Sequence, residues 1–112
     1  MQNYISTTLQ KQRAYFQAGH TLPLSIRKDL LHQLSDAIHQ YEQQLADALW
    51  TDLHKSYEEA YLTELSIVYG EIRNHLKHIR RWARPERKCS PIAIMPASSK
   101  VIKEPLGNTL II

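Results

Sequence analysis

SYEEAYLTELSIVYGEIRNHLKHIRRWARP, residues 56–85, is the stretch that decides the fold of this chain. Its apolar residues recur every three or four positions, which is typical of one face of an α-helix. These residues are Tyr61, Leu65, Val68, Ile72, Leu76, Ile79 and Trp82. Ser56 and Glu59 have the spacing of a capping box, which begins a helix, and Pro85 disfavours helical backbone in the residue before it. We therefore predict a helix from the capping box to about Ala83.

Two further helices are predicted before this stretch. A second apolar stripe follows Pro23, ends near Asp52 and predicts one continuous helix. Its members are Leu31, Leu34, Ile38, Tyr41, Leu45 and Leu49. A first helix is predicted from Ser6, a favoured N-cap residue, to Ala18, with Gly19 just beyond its end. We expect the second and third helices to pack as an antiparallel hairpin that buries their stripes against each other.

Short strands are predicted after the helices. Residues 85–99 contain three prolines and read as an extended connector, and Lys100–Lys103 predicts one strand. Thr109–Ile112 is apolar on both faces, which is typical of a strand buried on both sides of a parallel sheet. We predict a helical segment over 1–84, a connector over 85–99 and the first strands of an α/β domain over 100–112. Because such a strand needs neighbours, we expect the chain to be the leading part of a larger protein.

The composition is that of an ordinary globular protein. Apolar residues make up 43% and charged residues 22% of the 112 residues, which excludes a disordered or membrane class. No apolar run reaches the roughly 18 to 20 residues of a membrane-spanning helix, and the first residues do not resemble a secretory signal. Cys89 is the single cysteine and has no internal disulfide partner. Together these features predict a cytoplasmic protein.

Charge is distributed unevenly along the chain. Residues 1–72 hold five Lys/Arg against nine Asp/Glu, a net charge of −4, whereas residues 73–112 hold nine against two, a net charge of +7. The basic stretch from Arg73 to Lys88 leaves open a small helical interaction or nucleic-acid-binding module as the alternative function. Favourable interaction of cations with a helix C-terminus explains the stretch more simply, and no base-reading module accompanies it. We therefore predict no nucleic-acid partner.

The sequence offers little support for a metal site or a catalytic residue. Glu71, His75 and His78 share the spacing of metal ligands on a helix face, but no Cys/His cluster complements them. Cys89 lacks the paired His or helix N-terminus that activates a nucleophilic thiol. There is no Gly-rich phosphate loop and no serine nucleophile motif. We therefore assign no catalytic, cofactor-binding or metal-binding residue.

Three sequence elements, in order, resemble the aldehyde dehydrogenase family, particularly its class 3-like group. Residues 52–65, DLHKSYEEAYLTEL, are similar to the family's D-L-x-K-S element leading into E-A-Y-x-x-E. The earlier Phe16, Gly19 and Arg27 match its x-F-x-x-G-x-T-x-x-x-x-x-R segment, and residues 104–112, EPLGNTLII, are similar to its E-P-L-G-V-V-L-I-I. Asn108 and Thr109 depart from the small apolar pair found there. The resemblance covers essentially the whole chain.

The resemblance implies the N-terminal fragment of an NAD(P)-dependent enzyme that oxidises aldehydes to carboxylic acids, with an α/β fold and a homodimeric state when intact. In that family a cysteine forms a thiohemiacetal, hydride passes to the nicotinamide, and a glutamate helps water to release the acyl group. Those residues, and the oxyanion asparagine of a P-W-N-Y-P-like segment, match nothing in this sequence. The resemblance therefore implies that these 112 residues alone bind neither NAD nor NADP and are inactive.

Overall fold

A computed structural model describes residues 2–109 and the side chains from Tyr4 onwards. The helices are α1 (Gln2–Gln17), α2 (Leu24–Gln40), α3 (Glu42–Leu53), α4 (Tyr57–Ala60) and α5 (Ser66–Trp82), with a π-helical segment (Tyr61–Leu65) between the last two. Strands β1 (Glu86–Lys88) and β2 (Ser99–Val101) enclose a 3₁₀ turn (Ile92–Ile94). The predicted fold, mainly helical with short strands after the helices, is confirmed. The apolar strand predicted at the end falls mostly on residues 110–112, outside the described residues.

The described residues form two compact units, each considered by itself. Residues 23–78 make one unit, and the residues before 23 and after 78 make the other. The buried apolar side chains among the described residues all belong to the first of these units: Ala46, Ala60, Leu65, Tyr69 and Ile72. The division of the chain into 1–84, 85–99 and 100–112 stays a prediction.

The prediction of one continuous second helix was wrong, because the helix is broken at Tyr41. The backbone of Tyr41 has φ −102° and ψ 12°, outside helical geometry, and separates α2 from α3. Hydrogen bonds continue across the break, since the Tyr41 N–H donates to the Ala37 carbonyl at 3.0 Å and the Leu45 N–H donates to the Tyr41 carbonyl at 2.9 Å. No proline or glycine marks this position. The break adjoins Glu42, whose side chain is bound by residues of α4 and α5.

The third helical region begins as predicted and is irregular near its start. The Ser56 hydroxyl accepts a hydrogen bond from the Glu59 N–H at 3.2 Å, which confirms this half of the capping box. Within the next two turns the hydroxyls of Thr63 and Ser66 donate to the carbonyls four residues earlier, at 2.8 Å and 2.9 Å. Such hydroxyls compete with the backbone for helix hydrogen bonds; here Thr63 lies within the π-helical segment and Ser66 directly follows it. The helix ends at Trp82, one residue before the predicted end.

In the other unit, α1 begins at Gln2, so the predicted start at Ser6 was wrong. Its predicted end is close to the observed one: Gly19 has φ +73°, and its N–H donates to the Phe16 carbonyl at 2.9 Å. A residue without Cβ adopts this left-handed conformation at little cost, which explains glycine after the helix.

The strands β1 and β2 pair antiparallel, with Glu86 opposite Val101, Arg87 opposite Lys100 and Lys88 opposite Ser99. β1 lies inside the predicted connector, and β2 begins one residue before the strand predicted over Lys100–Lys103. The hydroxyls of Ser90 and Ser99 are hydrogen-bonded at 2.9 Å beside the paired strands. Side chains of successive residues in each strand point to opposite faces of this short hairpin.

Candidate functional site

A carboxylate with two tyrosine donors lies where α2 and α3 pack against α4 and α5. Glu42 begins α3, and its two oxygens accept hydrogen bonds from the Tyr57 hydroxyl at 2.6 Å and the Tyr69 hydroxyl at 2.8 Å. The His39 ring stacks on Tyr69 with centroids 4.1 Å apart, and its Nδ1 lies 3.5 Å from Glu42 Oε2. We name these four residues the Glu42 cluster. It joins the helices on both sides of the Tyr41 break.

The Glu42 cluster holds a charged carboxylate against neutral phenols. The hydrogen bonds from Tyr57 and Tyr69 lower the pKa of Glu42, because they favour its ionised form. Burial, and then the bond to Glu42, raises the pKa of Tyr69 to about 12. The pKa of Tyr57 is also raised, chiefly by its bond to Glu42. Both carboxylate oxygens are occupied by donors of the same chain, so this arrangement is suited to holding helices together.

An apolar groove of about 410 Å³ lies beside this cluster in the same unit. Its lining combines the apolar stripes of the second and third predicted helices: Ile38, Leu45, Ala48, Leu49, Leu65 and Val68, with Asp52 and Glu64 at its edge. The stripes therefore face each other, although the space between them stays partly open. Lys55 contacts both Thr63 and Glu64, which ties the turn before α4 to the π-helical segment.

The candidate metal ligands on α5 are engaged by their own helix. Nδ1 of His75 lies 2.8 Å from the Glu71 carbonyl, and Nδ1 of His78 lies 2.9 Å from the Asn74 carbonyl and 2.8 Å from its side-chain oxygen. Over residues 2–109, no three His, Cys, Asp or Glu side chains converge in a way that could hold a metal ion. Cys89 is exposed, with Sγ 3.8 Å from the Ser90 carbonyl.

The end of the basic stretch lines a second concave surface, in the other unit. Arg84, Pro85, Arg87 and Lys100 surround a volume of about 410 Å³, and we name this surface the basic concavity. The prediction of the basic stretch ended at Lys88 and so missed Lys100, which strand pairing brings opposite Arg87. The sequence signal that could have indicated Lys100 was its position in a predicted strand.

Known proteins with related sequences decide the family. The chain is 36% identical over 110 residues to 4,4'-diaponeurosporen-aldehyde dehydrogenase of Staphylococcus aureus, an alignment covering 98% of this chain and 24% of that protein. It is 37% identical over 108 residues to aldehyde dehydrogenase family 3 member B1 of Homo sapiens, covering 96% of this chain and 23% of that protein. The chain is homologous to the class 3 aldehyde dehydrogenases.

The fold of a solved aldehyde dehydrogenase agrees with this relationship. Staphylococcus aureus AldH in its substrate-bound state matches with a TM-score of 0.85 and 35% identity, over 90% of this chain and 22% of the solved one. No family model matches the chain. The chain spans about a quarter of the length of the curated relatives it matches. The predicted resemblance is confirmed, and the alternative interaction or nucleic-acid-binding module gains no support from these relatives.

Membrane-crossing helices are not found among residues 2–109. None of their helices combines the length and the apolar character that crossing a bilayer requires.

Proposed function

We propose that this chain serves as a structural part of an NAD(P)-dependent aldehyde dehydrogenase that oxidises aldehydes to carboxylic acids. The observation that carries the proposal is the match to such enzymes along nearly the whole chain, in both sequence and fold. The intact enzyme would hold NAD or NADP and form a homodimer in the cytoplasm. The region 100–112 would open its α/β coenzyme-binding domain.

The role of this chain within that enzyme is to provide packing surfaces. Apolar residues make up 43% of the chain, yet large side chains of the helical unit stay exposed, including Leu34 at 49%, Trp50 at 55% and Ile67 at 58%. Large exposed apolar patches mark contact with further protein, and the number of large apolar side chains exposed on these helices supports such a contact. Residues of the intact enzyme beyond the described part would cover it.

The chemistry itself is assigned elsewhere in the enzyme. Within the described residues, the exposed Cys89 lies beside no histidine or carboxylate in contact with its sulfur, and a catalytic thiol requires such an activating partner. We expect the isolated 112-residue chain to give no aldehyde-dependent reduction of NAD or NADP.

A chimera tests this division of roles. The segment of the Staphylococcus aureus aldehyde dehydrogenase that aligns with this chain is replaced by this chain, and reduced nicotinamide is measured by absorbance with an aldehyde substrate. We expect turnover by the chimera and by its Cys89→Ser variant, and none by the isolated chain. A chimera that folds like the parent enzyme but lacks activity would contradict the proposal, as would turnover by the isolated chain.

A further inference from the structure

The two faces of the β1–β2 hairpin differ in whether their charged side chains form ion pairs. Side chains alternate along a strand, so Glu86 and Lys88 project from one face of β1 and Arg87 from the other. On the first face Glu86 accepts from Lys88 at 3.3 Å and from Lys103 at 2.9 Å. These two lysines lower the pKa of Glu86, Lys103 more than Lys88. The one carboxylate of this face is therefore paired with lysines of the same chain.

The opposite face carries cations without compensation. Arg87 and Lys100 are direct cross-strand partners, and like charges at such positions destabilise a sheet. Among the ion pairs of the described residues, none involves Arg84, Arg87 or Lys100. A hairpin of three-residue strands gains little from its own pairing, so the repulsion is significant for its stability.

Shape and charge coincide at this face. Arg84 lies just after α5, and together with the cross-strand pair and Pro85 it lines the basic concavity. No carboxylate of residues 4–109 belongs to that lining. The backbone of Arg84 is fixed by a hydrogen bond from its N–H to the Arg81 carbonyl at 3.3 Å. The end of a helix and two paired strands thus place three cationic residues around one open concavity.

We propose that the basic concavity binds a compact multivalent phosphate anion, such as a pyrophosphate group. An anion placed between Arg87 and Lys100 would replace their repulsion by two attractions. A guanidinium donates in a planar fork that matches phosphate oxygens, and the concavity offers two of them. A single carboxylate neutralises only one of the three cations, whereas pyrophosphate neutralises the set.

A small anion fits this site better than a nucleic acid does. Among the described residues, three cations and no aromatic side chain line the concavity, so a base finds nothing there to stack on. Single-strand binding uses such stacking together with a longer basic track. The phosphate group itself is therefore the recognised chemistry.

Calorimetric titration of the 112-residue chain with inorganic pyrophosphate at low ionic strength tests the proposal. We expect one site with a dissociation constant below about 1 mM, weakened by added salt. The double variant Arg87→Gln/Lys100→Gln is expected to bind about tenfold more weakly. The matched control Lys88→Gln/Lys103→Gln removes the same charge from the Glu86 side and should change binding less than about twofold.

A further variant separates binding from folding. Arg84→Gln lies outside the strands and so leaves their pairing intact; it should weaken pyrophosphate binding about threefold, with unchanged far-UV circular dichroism. Equal losses in the two double variants would show that net charge alone attracts the anion and would overturn the site. Absence of binding by the unmodified chain would also overturn it. So would tight binding of a single-stranded oligonucleotide that pyrophosphate does not displace.

Discussion

The Glu42 cluster and the basic concavity both gather charged and polar side chains, but only the first is closed by its own chain. Both oxygens of Glu42 are bound by tyrosine hydroxyls, and His39 lies against the same group. In the basic concavity, the cations of Arg84, Arg87 and Lys100 face one another without an acid. A closed cluster of this kind holds helices in place. An open cluster of cations can attract an anion that is not part of the described chain.

The difference arises from the surroundings of the two clusters. Tyr69 is buried at 7% exposure within the helical unit, where an unsatisfied hydroxyl would be costly. The side chains of the basic concavity are exposed to water, which tolerates unpaired cations. Polar groups of the buried first cluster therefore need hydrogen-bond partners, whereas the cations of the exposed second cluster are solvated by water.

The largest expected effect tests whether stability resides in the helical unit. Leu65→Ala should lower the free energy of unfolding by about 2 kcal/mol or more, because it empties a buried site between helices. Leu65 is 5% exposed, whereas Leu62 in the same π-helical segment is 67% exposed. Urea unfolding followed by circular dichroism measures both variants, and Leu62→Ala should cost less than about 0.5 kcal/mol. Equal losses would show that this packing does not stabilise the chain.

A smaller effect tests the closure of the Glu42 cluster. Tyr69→Phe removes a buried hydroxyl bound to a carboxylate and should cost about 1 kcal/mol of unfolding free energy. Tyr61→Phe is the matched control, since among the residues that the structure describes its ring contacts Tyr57 and its hydroxyl has no hydrogen-bond partner. A control that loses as much as Tyr69→Phe would contradict the role of the buried hydroxyl.

The pH dependence of the same variant follows from the shifted pKa values. The pKa of Tyr69 is raised from 10.0 to about 12, so its contribution is complete below pH 10 and is lost as the pH rises towards 12. The lowered pKa of Glu42 acts oppositely: its contribution is present above the usual 4.5 and is lost as the pH falls through the lowered value. The stability difference between the unmodified chain and Tyr69→Phe should therefore shrink at both extremes. A difference that is constant with pH would contradict this linkage.

The smallest effect concerns the hairpin alone. Arg87→Glu replaces the like-charge pair with an ion pair to Lys100, and cross-strand pairs of opposite charge stabilise a sheet modestly. We expect amide hydrogen exchange in β2 to slow by about two- to fivefold. Arg84→Glu, which changes the same charge outside the strands, serves as the control and should slow exchange less. Faster exchange in Arg87→Glu would show that the paired cations do not repel each other.

Sequence patterns predicted the helical regions because local features define them. The Ser56 cap, the glycine after α1 and the periodic stripes each depend on residues within a few positions of one another. The break at Tyr41 was not predicted, since the contacts of Glu42 come from residues 15 and 27 positions away. The sequence indicated Arg84 and Arg87 of the basic concavity but not Lys100, because Lys100 reaches Arg87 through strand pairing.

The sequence by itself determined the helical regions, a strand near Lys100 and the relationship to class 3 aldehyde dehydrogenases, since local periodicity and short motifs carry that information. It did not reveal β1, which formed inside the predicted connector. Only the tertiary structure decided which charges are compensated. Glu42 meets Tyr57 and Tyr69 across packed helices, and Arg87 meets Lys100 across a hairpin. Electrostatic attraction and repulsion depend on separation in space, and separation along the chain does not reveal it.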